Sequence, residues 1–333
     1  MLKIITNNAF RLIGTSANAK LKERLANQSK IKAYSRIGKE VSFPYDMSKQ
    51  LSKPNRTQET VDEAISRLNI PIECLKCALL WIYTITPEQQ AAADLIAQNE
   101  VKKARQAYSK ISDFGGMISY ATLCFIAKDN VRGVRALNKF VEDDEEREAF
   151  MEFMTSLNGQ PINYSEEEFS ELLVDLFLES ISAEDLLSIY ENESYDLSHK
   201  SVVYIQKKES TALISRVEKM IHAVEIRFPK SADALKNCPD FLKEGKAELT
   251  KLSQYIGSDS TEYKNCAESI AKYIVRLVTR FYNEHEEISV PRLKKCLTLC
   301  EKSKSLAFTP MLRSEFDKHI QNLSQEIMYM TYR

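Results

Sequence analysis

Glycine and proline are scarce in this chain. Of its 333 residues, 8 are glycine and 9 are proline. Glycine is thus about 2.4% of the chain, where an average protein has roughly 7%. Folds with many tight turns need glycine for positive φ and proline for fixed φ, and phosphate-binding loops need glycine for close backbone approach. The scarcity argues against such folds and predicts long helices joined by few sharp turns.

Long apolar runs are also missing. No stretch approaches the roughly 20 consecutive apolar residues that cross a bilayer, and the opening sequence MLKIITNN has no apolar run long enough for a signal peptide. We therefore expect a cytoplasmic protein without a membrane-spanning part. Apolar residues still make up 44% of the chain, which is enough for the cores of two or three domains.

The net charge of −1 conceals a strong separation of charge along the chain. Residues 1–60 carry a net charge of +8, and residues 141–200 carry −16. Residues 61–140 carry +2, and residues 201–333 carry +5. A basic head and an acidic middle segment can each attract an oppositely charged partner, or one another.

Hydrophobic periodicity predicts an all-α fold with four segments. Residues 1–85 form a helical head, and residues 86–140 form short paired helices. Residues 141–200 form an acidic helical segment that ends in a linker at 191–200. Residues 201–333 form a C-terminal helical domain.

Two local patterns give sharper predictions. One apolar stripe at helical spacing predicts a helix that continues through residue 82; its members are Ile72, Leu75, Leu79 and Ile82. The β-branched run at 202–205 leaves a short strand open as an alternative to helix there.

Residues 86–140 contain a weak internal repeat. Aligning Val101 with Val131 gives an offset of 30 residues and places Asn99 opposite Asp129. This offset is near the period of about 34 residues in tetratricopeptide (TPR) repeats, in which each repeat is a pair of packed helices. The segment is therefore predicted to form TPR-like helical hairpins.

The chain offers little for catalysis or metal binding. Its seven cysteines include two close pairs, Cys74/Cys77 and Cys296/Cys300, which together could supply a four-thiolate zinc site. Both pairs lie in leucine-containing helical patterns without glycine or proline, so we expect core packing instead. The sequence has no H-E-x-x-H, G-x-S-x-G or phosphate-loop motif. We therefore expect no catalytic residue, no metal and no cofactor.

A basic helix over residues 18–40 is the main candidate for a binding site. Lys32, Arg36 and Lys39 recur at i, i+4 and i+7, and Lys30 adds a fourth cation. Such a helix can dock on an acidic protein surface, contact nucleic-acid phosphates, or remain a solvated face. Aromatic residues for base stacking are sparse there, so protein docking is favoured over nucleic acid.

The beginning of the chain resembles a J-domain. The sequence NAFRLIGTSANA at 8–19 is similar to the short apolar first helix of that family, which ends in Leu-Gly-Val and is followed by Asn-Ala. A basic helix, a proline-containing loop and another helix then follow in the family's order. The wider pattern is similar to a group of bacterial J-domain-like proteins typical of Bacteroidetes, through AYSRIGK at 33–39, RTQE at 56–59 and ALLWI at 78–82.

The resemblance implies an antiparallel central helix pair and, in typical members, a His-Pro-Asp tripeptide that stimulates ATP hydrolysis by DnaK-type chaperones. By the family's spacing the tripeptide should fall at 36–38, where this chain has Arg36-Ile37-Gly38. We therefore expect a degenerate J-domain that does not stimulate the chaperone. The expected function is a non-enzymatic, co-chaperone-like adaptor that binds a protein, such as a chaperone or client. Its contact residues would be Lys30, Lys32, Arg36 and Lys39. Nucleic-acid association through the same helix is the alternative.

Overall fold

The computed structural model describes residues 2–192, 196–285 and 287–332. Every regular element in these ranges is helical, so the all-α prediction is confirmed. The chain divides into two compact units, Met1–Val203 and Tyr204–Arg333. None of the described helices combines the length and apolar character that a bilayer crossing requires.

The first unit begins with a head of short helices. They are α1 (Lys3–Thr6), α2 (Ala9–Ile13), α3 (Leu21–Arg36), α4 (Gln58–Leu68) and α5 (Pro71–Ala78), with a 3₁₀ turn, Pro44–Asp46, between α3 and α4. Local sequence signals set several of the helix starts. The Asn8 side chain caps α2 by accepting the Phe10 N–H at 3.0 Å, and Thr57 caps α4 by accepting the Thr60 N–H at 3.1 Å. Pro71 occupies the first position of α5.

The predicted helix through residue 82 is wrong in its last turn, because α5 ends at Ala78. Residues 79–83 follow it as a non-helical connector, and all five are fully buried. The Asn8 side-chain amide donates to the carbonyls of Cys77 and Leu80, at 2.8 and 3.2 Å. The Ala17 N–H donates to the Ile82 carbonyl at 2.8 Å. Since these bonds satisfy backbone groups of the connector, the apolar run can be buried without continuing as a helix.

Seven further helices follow in the first unit and continue into the acidic segment. They are α6 (Pro87–Ala97), α7 (Val101–Tyr108), α8 (Phe114–Ile126), α9 (Asn130–Glu142), α10 (Asp144–Asn158), α11 (Glu166–Leu178) and α12 (Ala183–Glu191). Helices α6 and α7 pack as one hairpin, and α8 and α9 pack as the next. Helix α7 also packs against α8, which joins the two hairpins.

The two hairpins share one turn geometry, which corrects the predicted repeat offset. Asn99 after α6 and Lys128 after α8 both have a φ of 62°. In each turn the next residue donates its N–H to the carbonyl five positions earlier, at 2.8 and 2.9 Å. Asn99 and Lys128 are therefore equivalent, and the structural offset is 29 residues rather than 30. The alignment of Val101 with Val131 was wrong by one residue, because the turn's hydrogen bonds, rather than similar side chains, define the equivalence.

The remaining helices are α13 (Asp196–Arg227), α14 (Ser231–Ile256), α15 (Thr261–Glu284), α16 (Val290–Lys304) and α17 (Pro310–Thr331). All of them except α16 are longer than those before them. Residues 202–205 lie within α13, so the strand alternative is wrong; the long helical context overrides the β-propensity of the run. The predicted linker 191–200 is shorter than expected since α13 begins at Asp196, and residues 193–195 of it lie outside the described residues.

Candidate functional site

Helix α3 carries the predicted contact residues, and its C-terminal end is built by local sequence. The Gly38 N–H donates to the Ser35 carbonyl at 3.1 Å, and the Lys39 N–H donates to the Tyr34 carbonyl at 3.0 Å. Gly38 has a φ of 65°, so the three features form a Schellman motif. Positions 36–38, where the resembled family carries its tripeptide, are here the last residue of a helix and its terminating turn.

Most of α3 is exposed. Within the helix only Arg24 and Ile31 are buried, and Ile31 packs with Phe43 and Val61 in a small cluster. The polar link to α4 is Asp62, whose Oδ1 is 2.9 Å from the nitrogen of Lys32. A helix attached along one narrow edge leaves the rest of its surface available to a partner.

The structure places the four predicted contact residues in different environments. Lys32 is bonded to Asp62 and its side chain is 29% exposed; this hydrogen bond lowers the pKa of Asp62. Lys30 is exposed, with its nitrogen 5.3 Å from the centre of the Phe43 ring. Arg36 and Lys39 are exposed and have no ion-pair partner among the described residues. Lys32 is therefore the least available of the four.

Apolar residues on the same helix were missed by the sequence argument. Tyr34 and Ile37 are exposed, Ile37 by 65%. Together with Lys30 they are spaced at i, i+4 and i+7, which places them on one side of the helix. We define the α3 surface as Lys30, Tyr34, Arg36, Ile37 and Lys39. In the sequence, helical spacing places Tyr34 and Ile37 on the side opposite Lys32, Arg36 and Lys39, so it gave no signal that they share one exposed surface with cations.

A buried ionic cluster holds the loop that follows α3. The Asp46 carboxylate accepts the Phe43 N–H at 3.0 Å and the Arg56 guanidinium at 2.8 Å. The Arg11 guanidinium donates to the carbonyls of Asp46, Thr6 and Ser52, at 2.9, 2.7 and 2.5 Å. Burial lowers the pKa of Arg11 to about 10, against the opposing attraction of Asp46. These donors are used inside the fold, so the cluster orders the loop rather than offering a binding site.

The seven cysteines are buried thiols, which confirms the expectation of core packing. Cys74 and Cys77 lie on α5 in the first unit, and Cys296 and Cys300 lie on α16 in the second. Burial raises the pKa of Cys296 to about 11 and that of Cys300 to about 12. Such thiols stay protonated near neutral pH, which makes them poor nucleophiles. Among the described residues no group of histidine, cysteine, aspartate and glutamate side chains is arranged to hold a metal ion.

The head presents a short apolar helix α2, the basic helix α3, a loop with two prolines, and then α4. No protein-family model, curated protein or solved structure matches the chain. The resemblance to J-domain-like and TPR proteins therefore depends on the quoted sequence patterns alone. What it implies about partners enters below as a proposal.

Proposed function

We propose that this protein is a non-enzymatic binding protein whose α3 surface docks on another protein, in the manner of a co-chaperone-like adaptor. The observation that supports the proposal is the exposed stripe of Lys30, Tyr34 and Ile37, together with the exposed cations Arg36 and Lys39 at the same end of α3. Protein interfaces combine exposed apolar and aromatic side chains with a charged rim. The stripe has both, so it suits an apolar partner surface edged by carboxylates.

The TPR-like hairpins offer a second surface for the same function. A cavity of about 400 Å³ lies among α7, α8 and α9 and is lined by basic and aromatic side chains, including Lys110, Tyr120, Arg135 and Lys139. Stacked helical hairpins often bind proteins along such surfaces. We assign the hairpins a supporting role, because a cation of the lining already has an acidic neighbour: the Arg132 guanidinium lies 3.2 Å from the Asp129 carboxylate.

The adaptor is proposed not to stimulate a DnaK-type chaperone. The chain has Arg36-Ile37-Gly38 at the expected place of the tripeptide, and these residues form the end of α3. We expect the full-length protein to leave the ATPase rate of a DnaK-type chaperone unchanged. An acceleration that the change Arg36→Ala abolishes would contradict this part of the proposal.

Nucleic-acid association through α3 is the alternative. The net charge of +8 on residues 1–60 favours it, since cations that neutralise phosphates drive non-specific binding. Tyr34 is the single exposed aromatic residue on α3, so the helix offers little for base stacking. Protein docking therefore accounts for more of the exposed side chains.

The proposal can be tested by site-specific crosslinking of the full-length protein in a lysate of its source cells. A photoreactive amino acid at Ala33, which is exposed on α3, should capture a discrete set of proteins. The triple variant Lys30→Glu, Arg36→Glu, Lys39→Glu should abolish this capture. A matched triple variant at the exposed residues Lys49, Lys219 and Lys318 changes the net charge equally and should leave it intact.

Two results would contradict protein docking by α3. One is capture at Ala33 that the triple variant does not reduce. The other is salt-dependent binding of a single-stranded RNA or duplex DNA oligonucleotide that the triple variant abolishes and the matched control keeps. The second result would favour the nucleic-acid alternative. A variant with Tyr34→Ser and Ile37→Ser separates the two further, because it should weaken protein capture but not phosphate binding.

A further inference from the structure

The second unit contains a groove of about 550 Å³ between helices α14 and α16. Its floor is apolar and is formed by Pro239, Leu242, Pro291 and Leu299. Leu242 and Leu299 are anchored in the core, whereas Pro239 and Pro291 are exposed. The groove therefore presents apolar surface to solvent between two packed helices.

Five lysines line the same groove, and they are Lys243, Lys246, Lys294, Lys295 and Lys302. No carboxylate is among the described residues that line it, and none of the five lysines forms an ion pair within the described part of the chain. Some other lysines of this unit do form ion pairs, as in Lys251–Glu248 and Lys304–Asp317. The positive charge of the groove is thus left uncompensated.

Both walls of the groove contribute cations. On α14, Pro239, Lys243 and Lys246 recur at helical spacing on one side, and on α16 Lys295 and Lys302 do the same. Two of the lysines also reach backbone carbonyls on the opposite helix. The Lys246 nitrogen donates to the Lys302 carbonyl at 2.9 Å, and the Lys295 nitrogen donates to the Lys236 carbonyl at 3.5 Å. The lysines are therefore held along the edges of the apolar floor.

The length of the groove indicates the size of its ligand. Its α16 wall runs from Pro291 to Lys302, which at about 1.5 Å per residue is roughly 16 Å of helix. The lysines of this wall lie between Lys294 and Lys302, about 12 Å apart along the helix axis, which is more than a single phosphate or carboxylate spans. The ligand must instead carry several anionic groups along a comparable length.

The residues that line the groove distinguish between two kinds of extended anionic ligand, a nucleic acid and an acidic helix. Lysines alone can hold nucleic-acid phosphates, but base stacking and planar guanidinium contacts strengthen such binding, and the described lining contains neither an aromatic residue nor an arginine. The phosphate backbone would also leave the four apolar floor residues without a partner. An amphipathic helix with acidic flanks satisfies both parts of the groove, because its apolar stripe covers the floor while its carboxylates meet the lysines.

We propose that the groove between α14 and α16 binds an acidic amphipathic α-helix of a partner protein. About three turns of the partner would lie along the groove, with apolar residues at i, i+3 or i+4, and i+7. Glutamate or aspartate on either side of that stripe would pair with lysines of the α14 and α16 walls. This proposal does not depend on the α3 surface, which lies in the other unit.

Fluorescence anisotropy of a labelled synthetic peptide tests the proposal on the full-length protein. The probe is a short helical peptide with leucine on one face and glutamate on the flanks. A second peptide has the same composition in an order that destroys the apolar face. We expect the first to bind at least about tenfold more tightly than the second, and its affinity to fall as salt is added.

Variants locate the binding in the groove. Lys243→Glu with Lys294→Glu reverses one exposed cation on each wall and should weaken binding by about tenfold or more. Lys219→Glu with Lys318→Glu makes the same charge change at exposed lysines of the same unit that do not line the groove, and should have little effect. Thr298→Trp fills the groove from an exposed position while every lysine is kept, and it should also abolish binding.

Several outcomes would overturn the proposal. Equal affinity for the two peptides would mean that charge alone attracts them. Binding that survives Thr298→Trp would place the peptide elsewhere. Tighter binding of a single-stranded RNA, or of phosphatidylserine-containing vesicles, would assign the lysines to another partner. Loss of peptide binding in the α3 triple variant would show that the two surfaces are not independent, whereas retention keeps the groove separate from the proposed function of α3.

Discussion

The Arg56 guanidinium donates to both carboxylate oxygens of Asp46, and the two side chains are 7% and 6% exposed. Arg56 also donates to the carbonyls of Leu12 and Arg11, at 2.9 and 2.8 Å. One buried ion pair thus connects the end of α2 to the loop between α3 and α4. A fully bonded pair of this kind fixes the position of a loop that has little regular structure of its own.

Replacing Arg56 should be far more harmful than replacing an exposed partner of an ion pair. Arg56→Met leaves the Asp46 carboxylate buried without its cation, which typically costs about 3–5 kcal/mol. Lys53→Met breaks the exposed pair with Glu40 and should cost less than about 1 kcal/mol. Urea unfolding followed by the fluorescence of Trp81, the single tryptophan of the chain, reports on the unit that contains both pairs. Equal effects of the two variants would contradict the structural role of the buried pair.

Gly133 in α9 is expected to resist substitution by alanine. A Cβ atom there would lie 2.6 Å from the Phe125 ring, and Phe125 is itself held against Phe177 with ring centres 5.6 Å apart. Alanine improves helix propensity by about 1 kcal/mol, but overpacking costs about 1–3 kcal/mol. We therefore expect Gly133→Ala to lower the free energy of unfolding, by the same fluorescence measurement.

The hairpin repeat provides a control for this substitution. The residue equivalent to Gly133 in the first hairpin is Ala104, and the residue equivalent to Phe125 is Ile96, which is smaller. Replacing the Phe125 ring with a smaller side chain should accordingly relieve the clash. In a Phe125→Leu background the change Gly133→Ala should be less costly, or even stabilising. An identical cost in both backgrounds would mean that the contact with Phe125 does not limit the site.

The sequence was sufficient to predict where a helix starts when the signal is local. Helix starts at Thr57, Pro71 and Thr86 follow from capping hydroxyls and from proline at the first turn, and the structure has α4, α5 and α6 there. The connector 79–83 could not be predicted, because a run that is apolar on every side has no period to separate helix from coil. Its conformation depends on Asn8 and Ala17, which lie more than 60 residues earlier in the chain.

The candidate sites were harder to predict from the sequence than the helices, because their residues come together only in the tertiary structure. Arg11, Asp46 and Arg56 look like ordinary surface charges in the sequence, and their burial arises only when α2 and the loop after α3 meet. The lysines of α14 and α16 are separated by about fifty residues. No local sequence pattern therefore indicates that they line the same groove. Periodicity predicted which helices form, but not which charged side chains they bring together.

The cysteines should be protected from modification in the folded protein. All seven are buried, and burial raises the pKa of Cys266 to about 11 and that of Cys238 to about 12. The thiolate is the reactive form, so a disulfide reagent such as Ellman's reagent should react slowly with the native protein and rapidly with all seven thiols after unfolding in guanidinium chloride. Ser29→Cys, at an exposed position of α3, should add one thiol that reacts at once. Rapid reaction of the unmodified native protein would contradict the burial.

Glu268 on α15 is a buried carboxylate that caps the start of α17. It is 4% exposed, and its Oε1 accepts the N–H groups of Phe308 and Thr309 at 3.0 and 2.5 Å. Lys272 lies 3.5 Å from its other oxygen. Burial acts to raise the pKa of Glu268, but the hydrogen bonds from Thr309 and Phe308 outweigh it, so the pKa lies below the ordinary value of 4.5. The folded protein therefore favours the ionised form.

Glu268→Gln should destabilise the protein near neutral pH and have progressively less effect in acid. The amide still accepts hydrogen bonds but lacks the charge, and we expect a loss of about 1 kcal/mol at pH 7. Because the folded pKa is depressed, the carboxylate's contribution is complete above 4.5 and disappears as the pH falls through the folded value. Urea unfolding followed by far-ultraviolet circular dichroism measures the stabilities. The free energies of unfolding of the unmodified protein and of Glu268→Gln should converge as the pH is lowered, and the exposed Glu301→Gln serves as the control. A difference that stays constant from neutral pH into acid would mean that the ionised carboxylate does not stabilise the cap.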